Sequence, residues 1–420
     1  MKILIAAQNA SSRFGGEAFL PLKYFQLLRR RGHETRLIAH HRNRADLAGV
    51  LGEDIRHVHF IPDTIWHRAI WRTGQFLPSR GFKPLVDILM GFVDERFQKR
   101  IIRALVRDGR VDIVHQPIPV SPRVPSALHG FGVPVVIGPM NGNMSFPPGY
   151  EDYEPSWERR MVGLTRAFAG LMNRIVPGKR RAAALLVAND RTRDGLPLTD
   201  HSNVLTLVEN GVDFSVWTGS PRAPRSVGGT FRLIFLGRLI QLKAVDLTLE
   251  AMALAREAGT QVALDVLGDG PETGRLRALA EDLGLRDVVT FHGFRSQPEC
   301  AERMAGADAL ILNSLRECGG AVVLEAMSQG LPVIAADWGG PADYLDPSCG
   351  MLVHPVPRQS FVPRLAEAIR SLADDPGLAH RMGALGAEKV RSEFDWEGKV
   401  DRMLEIYQHC IGSAAARQGR

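Results

Sequence analysis

The stretch Arg316-Glu317-Cys318-Gly319-Gly320-Ala321-Val322-Val323-Leu324-Glu325-Ala326-Met327 sets two carboxylates around a pair of glycines. An apolar run at 309–312 precedes it, so the order reads strand, glycine turn, helix. A helix amino terminus at the carboxyl edge of a parallel sheet offers a phosphate free amide N–H groups and a favourable dipole. Glu325 falls among Val322, Val323, Leu324, Ala326 and Met327, where a carboxylate without a partner is costly. Each carboxylate accepts a pair of hydroxyl donors, which suits the vicinal diols of a sugar or ribose. Charge-assisted bonds of that kind contribute about 1.5–3 kcal/mol. The competing account has Glu325 capping or salt-bridging a neighbouring element and Glu317 simply solvated.

A second cluster, Gly237-Arg238 followed by Lys243-Ala244-Val245-Asp246, comes after the apolar run at 231–236. A diphosphate must have its charge neutralised to act as a leaving group. Two cations on one strand-to-helix loop can do this without a metal, Arg238 through a fork of donors and Lys243 as a point charge. Both could instead be ordinary surface cations. No Asp-x-Asp pair occurs in the chain, so a carboxylate-held Mg²⁺ or Mn²⁺ has no obvious ligands, and no metal or other cofactor is expected.

In the first half, Gly15 and Gly16 lie between the first strand and the first helix, where glycines let backbone approach a ligand or merely turn the chain. His115 ends an apolar run and could donate to a reacting sugar from the strand's carboxyl end; a buried histidine satisfied by backbone is the alternative. Asn141 lies on a further loop along the same edge.

The elements that must position these residues alternate. In the first half strands are expected at 2–7, 35–39, 111–115 and 133–138, with a helix at 19–31. In the second half strands are expected at 231–236, 262–267, 288–291, 309–312 and 332–335, with helices at 247–257, 275–283 and 320–329. That is the βαβ pattern twice over. With 420 residues the chain exceeds one ordinary core, so two domains are expected: 1–205, joined by a terminal helix at 395–420, and 206–394. No apolar run reaches the roughly 20 residues of a membrane-spanning helix. The amino terminus reads as a strand, not a signal peptide. The four cysteines form no C-x-x-C pair, so neither zinc site nor disulfide framework is indicated and a cytoplasmic setting fits. A net charge of +6 is compatible with nucleic acid, anionic lipid or phosphorylated ligands and does not choose among them.

Taken together these residues resemble the retaining, metal-independent glycosyltransferases of family four, which have the GT-B fold. The similarity runs from Gly15-Gly16 through Asn210-Gly211-Val212-Asp213, Gly237-Arg238 with Lys243, Leu267-Gly268-Asp269-Gly270-Pro271 and Phe291-His292-Gly293-Phe294. It continues with Glu317 and Glu325 and reaches Phe394-Asp395-Trp396. The resemblance implies two Rossmann-like domains facing across a cleft. It implies that Glu325 binds ribose hydroxyls, Glu317 donor-sugar hydroxyls, and Arg238 with Lys243 the diphosphate. By the same resemblance, amides from Gly319, Gly320 and Ala321 support sugar and phosphate, and Gly293 with Phe294 borders the base. His115, Gly16 and Asn141 then face the reacting centre, and the last helix returns to the first domain. Two positions depart: Gly319 stands where the family often has an aromatic residue, and Ala244 where it often has glycine.

For the acceptor, Trp66, Trp71, Phe76, Phe82, Phe92 and Phe97 interleave with Arg68, Arg72, Arg80, Lys83, Arg96 and Arg100, and a second basic stretch runs over 157–181. Aromatics with cations suit the headgroup region of an anionic membrane, so a lipid-linked acceptor and peripheral binding to the inner leaflet are expected. Ordinary amphipathic helices with solvated basic faces are the competing account. The rival activities are a GT-B nucleotide-sugar epimerase and a non-enzymatic nucleotide- or nucleic-acid-binding protein.

Overall fold

The computed structural model describes residues 1–12, 16–75, 83–154, 156–219 and 228–418. The chain divides into two compact units: Met1–Asn143, Pro155–Glu209 and Lys399–Arg420 form the first, and Met144–Glu154 with Asn210–Gly398 the second. The segment Met144–Glu154 therefore packs with the second unit, although it lies inside the stretch assigned to the first domain from sequence.

The first unit is built on seven strands: β1 (Lys2–Ala6), β2 (Glu34–His40), β3 (Val58–Ile61), β4 (Ile113–Gln116), β5 (Val135–Met140), β6 (Ala184–Val187) and β7 (Val204–Thr206). All pair in parallel, in the order β3-β2-β1-β4-β5-β6-β7. Its helices are α1 (Phe19–Arg30), α2 (Arg44–Leu51), α3 (Ile65–Gln75), α4 (Lys83–Arg107), α5 (Ser156–Ile175), α6 (Gly178–Arg181) and α7 (Asp190–Asp194).

The second unit carries β8 (Phe231–Leu236), β9 (Val262–Leu267), β10 (Val289–Gly293), β11 (Ala309–Leu312), β12 (Val333–Ala336) and β13 (Gly350–Val353). These are again parallel, in the order β10-β9-β8-β11-β12-β13. Its helices are α8 (Val245–Glu257), α9 (Thr273–Asp282), α10 (Gln297–Ala305), α11 (Ala321–Ser328), α12 (Gly340–Tyr344), α13 (Phe361–Asp374) and α14 (Pro376–Glu393). A long α15 (Trp396–Gln418) starts in the second unit and passes into the first.

Both sheets are Rossmann-like, because the central strands are buried along their whole length, as a parallel sheet covered on both faces requires. The first core joins Leu4, Ile38, Val114, Ile137 and Leu185 from five neighbouring strands to Ile102 of α4. In each sheet the strand order reverses once, between β1 and β4 and between β8 and β11. Connections leave on opposite faces there, so the loops at the carboxyl ends splay apart and make room for a ligand.

Candidate donor site

In the second unit, the loops after β8 and β11 flank that reversal, and they carry Arg238 and Lys243 on one side and Glu317, Gly319 and Gly320 on the other. Main-chain bonds stitch them together. Leu315 N–H donates to Leu242 O at 2.9 Å, and the β11 loop is tied in turn to the start of α12, where Gly340 N–H donates to Glu317 O at 2.8 Å. Lys243 Nζ then meets the Glu317 carboxylate directly, in an ion pair only 15% and 17% exposed. Arg238 is exposed, and among the described residues no hydrogen bond or ion pair holds its guanidinium.

The β8 loop reaches this geometry through an uncommon backbone. Ala244 sits at φ +50°, in the left-handed region, 1% exposed at the start of α8. Its carbonyl accepts from Asn313 Nδ2 at 2.9 Å, and Thr248 Oγ1 donates to Asn313 Oδ1 at 2.6 Å. Asn313, fully buried just past β11, thus ties the turn behind Lys243 to the neighbouring strand. It was not singled out from sequence; the available signal was an amide side chain ending an otherwise apolar run. Behind the same loop, a Cβ on Gly268 would stand 1.9 Å from Gly237 O, so only glycine lets the loop after β9 cross so closely.

Gly320, at φ +82°, turns the chain into α11. The amides of Gly319, Gly320 and Ala321 carry no hydrogen bond among the described residues, which leaves them available to an anion. One turn further on, Glu325 is half-buried, and no hydrogen bond or ion pair reaches its carboxylate among the described residues. Desolvation pushes its carboxyl up to about 7. The nearby Cys300 thiol is pushed up to about 11, by burial first and by the Glu325 charge second. The capping and salt-bridge alternatives for Glu325 are thus unfilled, whereas Glu317 is paired and not merely solvated. Gly293 (φ +71°) ends β10, and Phe294 beyond it is 76% exposed.

The segment Met144–Glu154 also lines this region. Arg316, beside Glu317, pairs with Glu154 at 3.4 Å and stacks over Phe146 at 5.7 Å, and Trp338 Nε1 donates to Ser145 O at 2.9 Å. No periodicity marked this proline- and tyrosine-bearing stretch in the sequence.

The first-unit candidates are placed differently. His115 is fully buried, its Nε2 2.6 Å from Gly138 O and its Nδ1 2.7 Å from Tyr407 Oη, and burial holds it down at about 4. Both nitrogens are engaged, the arrangement of the buried, hydrogen-bonded histidine that the sequence also allowed. Asn141 is 3% exposed, and its Nδ2 donates to Glu209 Oε1 at 2.7 Å, so its side chain is spent inside its own unit. Gly16, exposed at φ +68°, opens the short turn before α1. Gly15 lies outside the described residues.

Among the described residues one group lies close enough to share a metal ion: His40, Asp63 and His67 of the first unit. His40 Nδ1 accepts from Arg42 N–H at 3.2 Å and His67 Nδ1 from Thr64 N–H at 3.1 Å. In both rings that leaves the proton on Nε2, an arrangement that opposes joint ligation.

Residues 220–389, which hold the loops after β8, β9, β10 and β11 but not Met144–Glu154, match the family model of glycosyl transferases group 1. This stretch is similar to a group 1 glycosyl transferase domain. A glycogen synthase of Mycobacterium tuberculosis is 29% identical over 204 residues, 48% of this chain and 48% of its own. A D-inositol 3-phosphate glycosyltransferase of Arthrobacter is 31% identical over 252 residues, 57% of this chain and 58% of its own. The chain thus spans about half the length of the curated relatives it matches. Among solved structures, HepE of Anabaena bound to UDP superposes with a TM-score of 0.67 at 18% identity, covering 97% of this chain and 100% of that one. That likeness identifies the fold as GT-B, whereas the sequence match singles out the group 1 domain that carries Lys243, Glu317 and Glu325.

Proposed function

We propose that the protein transfers a glycosyl group from a nucleoside diphosphate sugar to an acceptor hydroxyl, with retention of anomeric configuration and without a divalent metal or other cofactor. The observation that carries this reading is the convergence of Arg238, Lys243 and the unbonded Gly319–Ala321 amides at one strand-order reversal, a site built for a diphosphate. Arg238 and Lys243 neutralise the diphosphate, and Glu325 accepts from the ribose diol. Glu317 orients Lys243 in the resting site and accepts from the donor sugar once the diphosphate draws the ammonium away. The glycosidic carbon–oxygen bond breaks with its electron pair passing to the diphosphate, the acceptor oxygen bonds to the same face, and its proton goes to the departing phosphate oxygen. Arg238 and Lys243 stabilise the charge that develops on that oxygen.

The proposed acceptor is lipid-linked and the proposed process is polysaccharide assembly, with the protein peripheral on an anionic leaflet. Supporting this, α3 holds Ile65, Trp66 and Trp71 at 68%, 65% and 59% exposed beside the exposed Arg68 and Arg72. No helix among the described residues is long and apolar enough to cross a membrane. HepE has been captured with UDP-glucose, so that donor is the first probe. Incubating the chain with UDP-glucose and a membrane lipid extract, with and without EDTA, is expected to yield glycosylated lipid of unchanged anomeric configuration at equal rates. Release of an epimerised sugar, an inverted product, or abolition by EDTA would contradict the reading.

A further inference from the structure

The described helices of the first unit include one that wears its apolar residues outward. On α5, Phe168, Leu171 and Ile175 recur at i, i+3 and i+7, one stripe of a helix, and are 40%, 53% and 64% exposed. The inward face of the same turns carries Ala169 and Asn173, which are buried. A core-packing helix has the opposite arrangement. The stripe borders a groove of about 1350 Å³ lined by Leu171 of α5, Phe131, Leu198 and Leu205 on its apolar side, and by the carboxyl-terminal part of α15. Val133, Pro134, Ala183 and Asn203 also line it, and each precedes β5, β6 or β7, so the groove lies at the amino edge of the first sheet. That is the edge opposite the one where α/β sheets bind their substrates.

The rim is cationic. Arg174, Arg180, Arg181 and Arg417 line the groove and are exposed, and no ion pair engages any of them among the described residues. The acid that lines the groove, Asp200, turns its Oδ1 to the Ser202 amide at 2.9 Å. Immediately beside the rim, burial and the positive charges of Lys99, Arg181 and Arg103 hold His129 below its usual range. Four guanidinium groups with no carboxylate partner among the described residues, Arg180 donating to Arg174 O at 2.6 Å and Arg181 lying 3.4 Å from His129 Nδ1, surround an apolar trough and match an amphiphile that carries phosphate at one end and hydrocarbon at the other.

We propose that this groove is an anionic phospholipid site: a lipid phosphate sits on the Arg174, Arg180 and Arg181 rim while the α5 stripe enters the hydrocarbon boundary, docking the first unit along α5. This rests on the proposed membrane-side acceptor and adds to it a defined lipid contact away from the donor loops. Because α5 has 20 residues and so runs about 30 Å, a membrane along it would extend from the groove toward the carboxyl edge.

The test uses the full chain and vesicles of phosphatidylglycerol with phosphatidylcholine. Wild type is expected to cosediment with the anionic vesicles and not with pure phosphatidylcholine. Reversing Arg174, Arg180 and Arg181 to Glu should weaken that binding at least about fivefold per position, the equivalent of roughly 1 kcal/mol per basic residue near an anionic leaflet. Leu171→Asp with Ile175→Asp should weaken it with all charges intact. These positions are exposed, and an unchanged melting temperature verifies folding. If groove variants bind like wild type while Arg68→Glu with Arg72→Glu abolishes binding, the groove assignment fails and the α3 surface alone carries docking. If wild type ignores anionic vesicles yet still glycosylates detergent-solubilised lipid, docking fails and transfer stands. Dihexanoyl phosphatidylglycerol should raise the melting temperature more than glycerol 3-phosphate does. Equal stabilisation by both, or charge-dependent binding to RNA that survives Leu171→Asp, would overturn the lipid assignment.

Discussion

Lys243, on the loop after β8, and Glu317, on the loop after β11, form an ion pair across the point where the strand order of the second sheet reverses. The pair orders a cation and an acceptor next to open helix amides before any ligand arrives. Under the proposed function the diphosphate exchanges with Glu317 for the ammonium, so the pair positions both groups before the contact is traded.

Removing one member leaves the other partly desolvated, and the two losses should not add. Lys243→Ala is expected to lower kcat by roughly 100-fold, in the range of losing one transition-state donor. A double-mutant cycle with Glu317→Gln should return a coupling of about 1–3 kcal/mol in donor affinity. Additive effects in isothermal titration with UDP-glucose would show that the pair is not a functional unit.

Glu325 should make the fold sensitive to pH in a direction opposite to that of most carboxylates. Its folded value is near 7, above the unfolded carboxyl value of 4.5, so between those limits the folded chain binds a proton that the unfolded chain does not. Stability from this group is therefore present below pH 4.5 and is lost as pH rises through 7, on the order of 3 kcal/mol in all. Glu325→Gln should melt higher than wild type at pH 8 while binding donor more weakly. A melting difference independent of pH between 5 and 8 would exclude the desolvation account.

At His115 the sign is reversed. Its folded value near 4 lies below the unfolded 6.5, so protonation favours unfolding, and the stability it supports is lost as pH falls from 6.5 toward 4. His115→Asn should flatten that acid limb. Tyr407→Phe, which removes the hydroxyl 2.7 Å from Nδ1, should cost about 1 kcal/mol of stability and leave kcat per folded molecule unchanged. A kcat that collapses in Tyr407→Phe would place His115 in the chemistry.

Ala244→Gly should relieve the left-handed strain at φ +50° and stabilise the fold by about 1 kcal/mol, raising Tm by about 2–4 °C. Asn313→Ala should do the opposite and also reduce kcat, because the turn behind Lys243 loses its tie. Calorimetry and turnover on the same samples separate the two effects; an Asn313→Ala protein with normal kcat would confine that residue to stability.

The strands around the reversal in the second sheet were legible because a doubly covered parallel strand is a bare apolar run: 231–236, 262–267 and 309–312 coincide with β8, β9 and β11. Short strands were not legible. Val204–Thr206 has two half-buried residues and one exposed, and Gly350–Val353 opens on glycine with no alternation to read. The second-unit loop residues were legible because glycine, charge and strand end coincide in sequence. For His115, residue type and strand position do not say which way a ring points; Tyr407, 292 positions away, decides that. The segment Met144–Glu154 was assigned by its neighbours in the chain, whereas its partners Arg316, Trp338 and Arg358 lie far along it.

The donor loops are fastened to one another through peptide groups, Leu315 to Leu242, Gly340 to Glu317 and Leu239 to Asp269. Peptide groups are the same whatever side chains they carry. The loops can therefore keep their shape while their side chains drift, and under the proposed function a lineage could change its donor by a few substitutions without redesigning the scaffold. The same property predicts that grafting sugar-facing side chains from a related enzyme onto these loops will alter preference before it harms folding.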